Sequence, residues 1–124
     1  MPRFAILHHV TPTDAEKPDH YDLLLEDGDV LKTYTLWNFP SVGVPATAIP
    51  DFDHRMIYLD YEGPISGNRG EVTRADEGTF SWIIRQDDLV TVHLQGERLQ
   101  GRLILEVQDS TGPEAGESSG PGDA

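Results

Sequence analysis

The stretch Asp19-His20-Tyr21-Asp22-Leu23-Leu24-Leu25-Glu26-Asp27-Gly28-Asp29-Val30-Leu31-Lys32-Thr33-Tyr34-Thr35-Leu36-Trp37 reads as a β-hairpin. Period-two alternation puts His20, Asp22, Leu24 and Glu26 on one face of the first arm and Tyr21, Leu23 and Leu25 on the other. Glu26-Asp27-Gly28-Asp29 supplies the reversal. The second arm, Val30 to Trp37, is β-branched and aromatic, the composition that packs well on a pleated sheet. A histidine and an aspartate two apart on a strand point the same way, close enough to share one divalent cation.

Upstream, Phe4 to Val10 reads as a first strand, with Ala5, Leu7 and His9 on one side and Phe4, Ile6 and His8 on the other. The polar, proline-bounded segment Thr11–Asp19 joins it to the hairpin. Downstream, Asn38 to Asp53 carries Pro40, Pro45 and Pro50 and reads as a long surface connection. His54 to Tyr61 resumes strand alternation, and Glu62 to Gly70 is a glycine-rich loop. Four more strands are expected at Glu71–Asp76, Thr79–Arg85, Leu89–Gln95 and Leu99–Val107. The turns between them are Asp76-Glu77-Gly78, Gln86-Asp87-Asp88 and Gly96-Glu97-Arg98. Short strands at this spacing, with no helical stripe longer than two turns, argue for a small barrel or sandwich. Residues 1–108 form the expected domain. The segment 109–124, rich in Gly, Ser, Pro and Glu without apolar anchors, is expected to be a disordered tail.

Composition narrows the chemistry. The 124 residues suit one domain, and the absence of cysteine excludes disulfides, thiolate metal sites and cysteine nucleophiles. A metal would be held by imidazole and carboxylate, which suits manganese, iron, zinc or nickel. The net charge is −13; setting aside the four carboxylates of 109–124 leaves about −9, so a tight non-specific grip on a duplex is not expected. No long apolar run opens the chain, so neither a signal peptide nor a membrane span is expected there, and the expected location is the cytoplasm.

The residues that carry chemistry are His8, His9, His20, Asp22, His54, Tyr58 and the loop Gly67–Gly70. A lone strand histidine is more often a half-exposed surface group than a ligand, and His93 fits that description. Asp51, Asp53, Asp87 and Asp88 read as turn acids. The loop Gly63–Gly70 could cradle a phosphate through backbone amides with Arg69 as a fork donor, but without a following helix it is not a P-loop, and a wide hairpin explains it as well.

The segments Phe4-Ala5-Ile6-Leu7-His8-His9, His20-Tyr21-Asp22 with its continuation to Tyr34, His54-Arg55-Met56-Ile57-Tyr58 and Gly96-Glu97-Arg98-Leu99-Gln100-Gly101-Arg102 together resemble the 3′-phosphoesterase domain of bacterial DNA ligase D. The resemblance spans Arg3 to Val107. It implies a compact, closed or nearly closed β-barrel of about eight strands, with short helical segments in the connections. It also implies a manganese ion held by His9, His20 and Asp22, with His54 and Tyr58 at the scissile phosphate. The implied activity removes a 3′-phosphate or 3′-ribonucleotide from a nucleic-acid end, leaving a 3′-hydroxyl for polymerase or ligase partners; with fewer basic residues than that family, a smaller phosphoester is the other expected substrate.

The chain departs from that family at three basic positions, which fall on Leu24, Asn38 and Ala46. Arg3, Lys17, Arg55 and Arg69 are the nearby cations that can substitute, with Arg55 and Arg69 the candidate phosphate binders. Two other readings stand beside the phosphoesterase. One is a metal-binding barrel that has lost catalysis and acts as a partner module; the other is a metal-free barrel whose His9, His20 and Asp22 form a structural hydrogen-bond cluster.

Overall fold

A computed structural model describes residues 1–108. The expected tail falls outside the described residues. The fold is mainly β: seven strands close into a barrel and two short strands sit outside it. The barrel strands are β1 (Arg3–Val10), β2 (His20–Asp27), β3 (Val30–Leu36), β4 (Ala46–Pro50), β7 (Glu71–Arg85), β8 (Leu89–Gly96) and β9 (Gln100–Val107). The short ones are β5 (His54–Arg55), paired with β3, and β6 (Gly63–Pro64), paired with β7. Around the barrel the order is β1-β2-β3-β4-β9-β8-β7, and β7 closes the ring on β1. Every pairing is antiparallel except β4 with β9.

Period two along these strands creates two apolar layers. Phe4, Ile6, Leu23, Leu25, Leu36, Ala48, Phe80, Val92, Leu94, Leu103 and Leu105 form one buried cluster. All seven barrel strands contribute to it, so it is the barrel interior. The alternate residues Ala5, Leu7, Leu24, Leu31 and Val72 face outward and are covered by Leu59, Met56, Tyr58, Tyr61 and Ile65 from the 56–65 segment. β1 and β2 are therefore apolar on both faces. Their outer face is a second core rather than a solvated surface, and the candidate site lies at its end.

Three sequence expectations give way. His54–Tyr61 is not one strand: only His54–Arg55 pairs, and Met56–Leu59 is a 3-10 helix. Residues three apart share a face in that geometry, so Met56 and Leu59 both turn onto the outer apolar layer. The proline-rich connection contains β4, whose Ala48 and Ile49 are buried. Pro50 ends that strand, where the missing amide costs no ladder bond. Third, Asp76-Glu77-Gly78 is not a turn but the middle of the 15-residue β7.

β7 runs through that point because its neighbours need it there. Residues 71–79 pair with β1 and residues 78–85 with β8, with a register shift opposite Ile6 and Leu7 that bends the strand. Gly78 lies opposite both Phe4 and Gly96. A Cβ on Gly78 would lie 2.0 Å from the Gln95 carbonyl oxygen, so only glycine fits this corner. Asp76 is buried, and its carboxylate accepts hydrogen bonds from the amides of Glu77, Arg98 and Leu99, each at 2.9 Å. The Gly96–Arg102 motif is thus a structural turn anchored on Asp76.

Replacing Asp76 with alanine leaves three amides without their charged acceptor. D76A is expected to cost ~3–5 kcal/mol of unfolding free energy in urea titrations, with D76N in between. A loss below ~1 kcal/mol would show that the turn holds without its anchor.

Candidate metal centre

The β1–β2 register brings the first three site residues together. His9 lies directly opposite His20, and Asp22, two residues further along β2, lies diagonal to His9. All three point to the outer face. His9 Nδ1 is 3.2 Å from Asp22 Oδ2 and His20 Nε2 is 3.2 Å from Asp22 Oδ1. One donor atom from each residue lies within 4.8 Å of the other two, a span that fits a single ion. His20 and Asp22 are buried and His9 is half-buried.

The remaining ring nitrogens are committed to backbone carbonyls. His20 Nδ1 donates to Pro18 O at 2.9 Å, and His9 Nε2 donates to Arg69 O at 2.8 Å. These bonds set the tautomers, so the nitrogen of each ring that faces Asp22 carries a lone pair when the ring is neutral. Two lone pairs then confront a buried carboxylate. Only a cation, a proton or a metal ion, relieves that arrangement. Burial pushes the Asp22 carboxyl up, but the hydrogen bonds from His20 and His9 outweigh it and hold it well below the ordinary carboxylate range. The hydrogen bond to Asp22 raises His9 against the lowering effect of burial, with help from the Arg69 carbonyl.

A cavity of about 490 Å³ opens beside this cluster. His9, His20 and Asp22 line one part of it, His54 and Tyr58 another, and Leu7, Leu24, Val72 and Ile65 give it apolar walls. His54 Nδ1 donates to Phe52 O at 2.8 Å and to Thr33 Oγ1 at 3.0 Å, while the Thr33 hydroxyl donates to Leu31 O. Its Nε2 has no partner among the described residues. Tyr58 packs edge-on to His54, with ring centroids 5.7 Å apart.

The four candidate cations separate. Lys17 and Arg69 line the cavity, whereas Arg55 is exposed outside it and Arg3 is paired with Asp60 at 2.6 Å. Lys17 Nζ donates to Thr35 Oγ1 at 3.0 Å and lies 3.8 Å from Asp51, which the sequence reads as a turn acid. Arg69 folds back, its Nε donating to Ser66 O at 2.7 Å. Of the three positions without the family's basic residues, Leu24 lines this cavity, while Asn38 and Ala46 line a separate hollow. Phe52 and Asn68, also on the cavity wall, carry no sequence signal beyond lying in loops that flank His54 and Arg69.

A closed barrel carries on its outer face a two-histidine, one-carboxylate cluster, a donor set that could hold one divalent ion and would leave coordination positions open. The sequence profile of the DNA ligase D 3′-phosphoesterase domain matches residues 9–106, and the chain belongs to that family. No curated protein matches it. The chain is a 3′-phosphoesterase-like domain. Among the described residues, no helix is long and apolar enough to cross a membrane.

The pKa directions give a pH signature for the metal-free protein. Asp22, depressed, contributes stability that is present above the ordinary 3.8 and lost as pH falls through its folded value. His9, raised, contributes stability that is present below the ordinary 6.5 and lost as pH rises through its folded value. Thermal unfolding without metal is therefore expected to show greatest stability in mild acid. A divalent ion should raise the melting temperature on the alkaline side, and H20A should remove that rise. A pH profile unaltered by H9A and H20A would contradict this assignment.

Proposed function

We propose that the chain is a divalent-metal-dependent phosphoesterase that removes a 3′-phosphate or a 3′-terminal ribonucleotide from a nucleic-acid end. Manganese fits the donor set, in which two imidazoles and one carboxylate leave coordination positions free. The observation that carries the reading is His54. Its ring is anchored through Nδ1, and its unpartnered Nε2 shares a cavity with the His9-His20-Asp22 cluster.

When bound, the metal would polarise a phosphoryl oxygen and lower the pKa of a coordinated water. His9, His20 and Asp22 would hold it. His54, with its Nδ1–H fixed, is oriented to pass a proton from Nε2 to the leaving oxygen. The Tyr58 hydroxyl can orient the phosphate, and Lys17 and Arg69 supply positive charge on the cavity wall. The product, a 3′-hydroxyl end, is what a polymerase or ligase uses, so such enzymes are the expected partners in repair.

The apolar Leu24 on the cavity wall favours a second reading, a metal-binding barrel that has lost turnover and serves as a partner module. Hydrolysis of a 3′-phosphorylated primer with Mn²⁺ separates the two. The phosphoesterase is expected to turn over and to be silenced by chelator. H54A should lower kcat by ~10²–10⁴-fold. K17A and R69A should each raise KM by roughly tenfold or more, as the loss of a charge-assisted contact requires. Tight Mn²⁺ binding without turnover would establish the second reading instead. Full activity in H20A or H54A would sink the role assignment.

A further inference from the structure

We propose that Phe52 is a stacking platform for the organic part of the substrate. The cavity would then select a phosphoester whose phosphate lies next to a flat ring, as in a nucleoside 3′-phosphate. The proposal rests on the phosphoesterase reading and extends it from the phosphate to the group that carries it.

Phe52 is 85% exposed, the most exposed large hydrophobic side chain among the described residues. Its backbone is nonetheless held on both sides. The amide donates to the Asp51 carboxylate at 2.7 Å and the carbonyl accepts from His54 Nδ1 at 2.8 Å. The preceding Asp51 amide donates to the Thr33 carbonyl at 3.0 Å, which ties the segment to β3. The ring is therefore presented to water from a fixed base, and Phe52 lines the same cavity as His54 and the His9-His20-Asp22 cluster. A flat partner laid on it would recover the apolar burial and stacking that the free protein forgoes.

Charge points the same way. Lys17 and Arg69 are the lysine and arginine on the cavity wall, and Glu16, Asp22 and Asp51 stand against them. With a divalent metal ion the wall would carry four positive charges against these three carboxylates, a small excess that suits a single phosphate. Lys17 and Arg69 cannot grip a run of backbone phosphates in a protein of this net charge. Affinity has to come from a contact that needs no cation, and stacking on an aromatic face is one. The apolar walls at Leu24 and Ile65 suit an uncharged sugar or base better than a second phosphate.

Titration calorimetry on the full chain with Mn²⁺ tests this without requiring turnover. The probes are thymidine 3′-phosphate, a 3′-phosphorylated trinucleotide and the ring-free glycerol 2-phosphate. The ring-bearing phosphates are expected to bind about tenfold or more tighter than glycerol 2-phosphate, the scale of one stacked base. Phe52→Ala should bring them down to the glycerol phosphate value, and Phe52→Trp should retain the advantage. Tighter binding of the trinucleotide assigns the ring to a strand end, and tighter binding of the mononucleotide to a free nucleotide. Equal binding of all three by the unsubstituted protein, or an advantage that survives Phe52→Ala, overturns the proposal. Failure of every phosphate to bind overturns the phosphoesterase reading itself, a result distinct from equal binding.

Discussion

The antiparallel register of β1 against β2, with His9 opposite His20, is the constraint on which the rest of the molecule depends. Side chains alternate with period two, so one register decides at once which residues fill the barrel and which face out. Phe4, Ile6, Leu23 and Leu25 go inside; Ala5, Leu7, Leu24 and the His9-His20-Asp22 cluster go outside. A slip by one residue would send the histidines into the barrel interior and the leucines out. The penalty for that slip is the burial of His9, His20 and Asp22 among apolar residues, so the polar cluster itself helps to hold the register.

The outer face stays apolar only because something covers it. The 3-10 helix Met56–Leu59 and the segment through Ile65 bury it, and Tyr58 from that helix, with His54 and Arg69 flanking the segment, lines the cavity beside the cluster. Backbone carbonyls join the two parts: Pro18 O and Arg69 O take the outer nitrogens of His20 and His9, and Phe52 O takes that of His54. Irregular segments supply all three acceptors, since strand carbonyls are already committed to the ladder. Fold and site thus share the same covering chain. Asp76 makes the equivalent link between mid-β7 and the β8–β9 turn.

Electrostatically, the site is an exception within an acidic protein. A buried carboxylate between two histidines calls for a cation, whereas the surrounding surface repels extended polyanions. Leu24 completes the outer apolar layer at a point where an arginine would have to be buried. The positive charge on the cavity wall comes instead from Lys17 and Arg69, carried by two loops.

Much of this was legible in the residues themselves. The hairpin at Glu26–Asp29, the alternation of β1 to β3 and the same-face pair His20 and Asp22 follow from local rules of turn chemistry and side-chain period, which need no partner strand. Local rules failed where distant groups decide the backbone. Asp76-Glu77-Gly78 has turn composition but runs straight through, because β1 and β8 both pair across it and the Asp76 carboxylate is claimed by amides 22 and 23 residues away. His54–Tyr61 alternates like a strand but coils, because Met56 and Leu59 gain more by covering the outer leucines. In the same way, period two could place His20 beside Asp22, but only the closed barrel and its covering segment could bring His9, His54, Lys17 and Phe52 to one cavity. Those residues come from separate segments, and their meeting is set by strand register and packing rather than by any spacing along the chain.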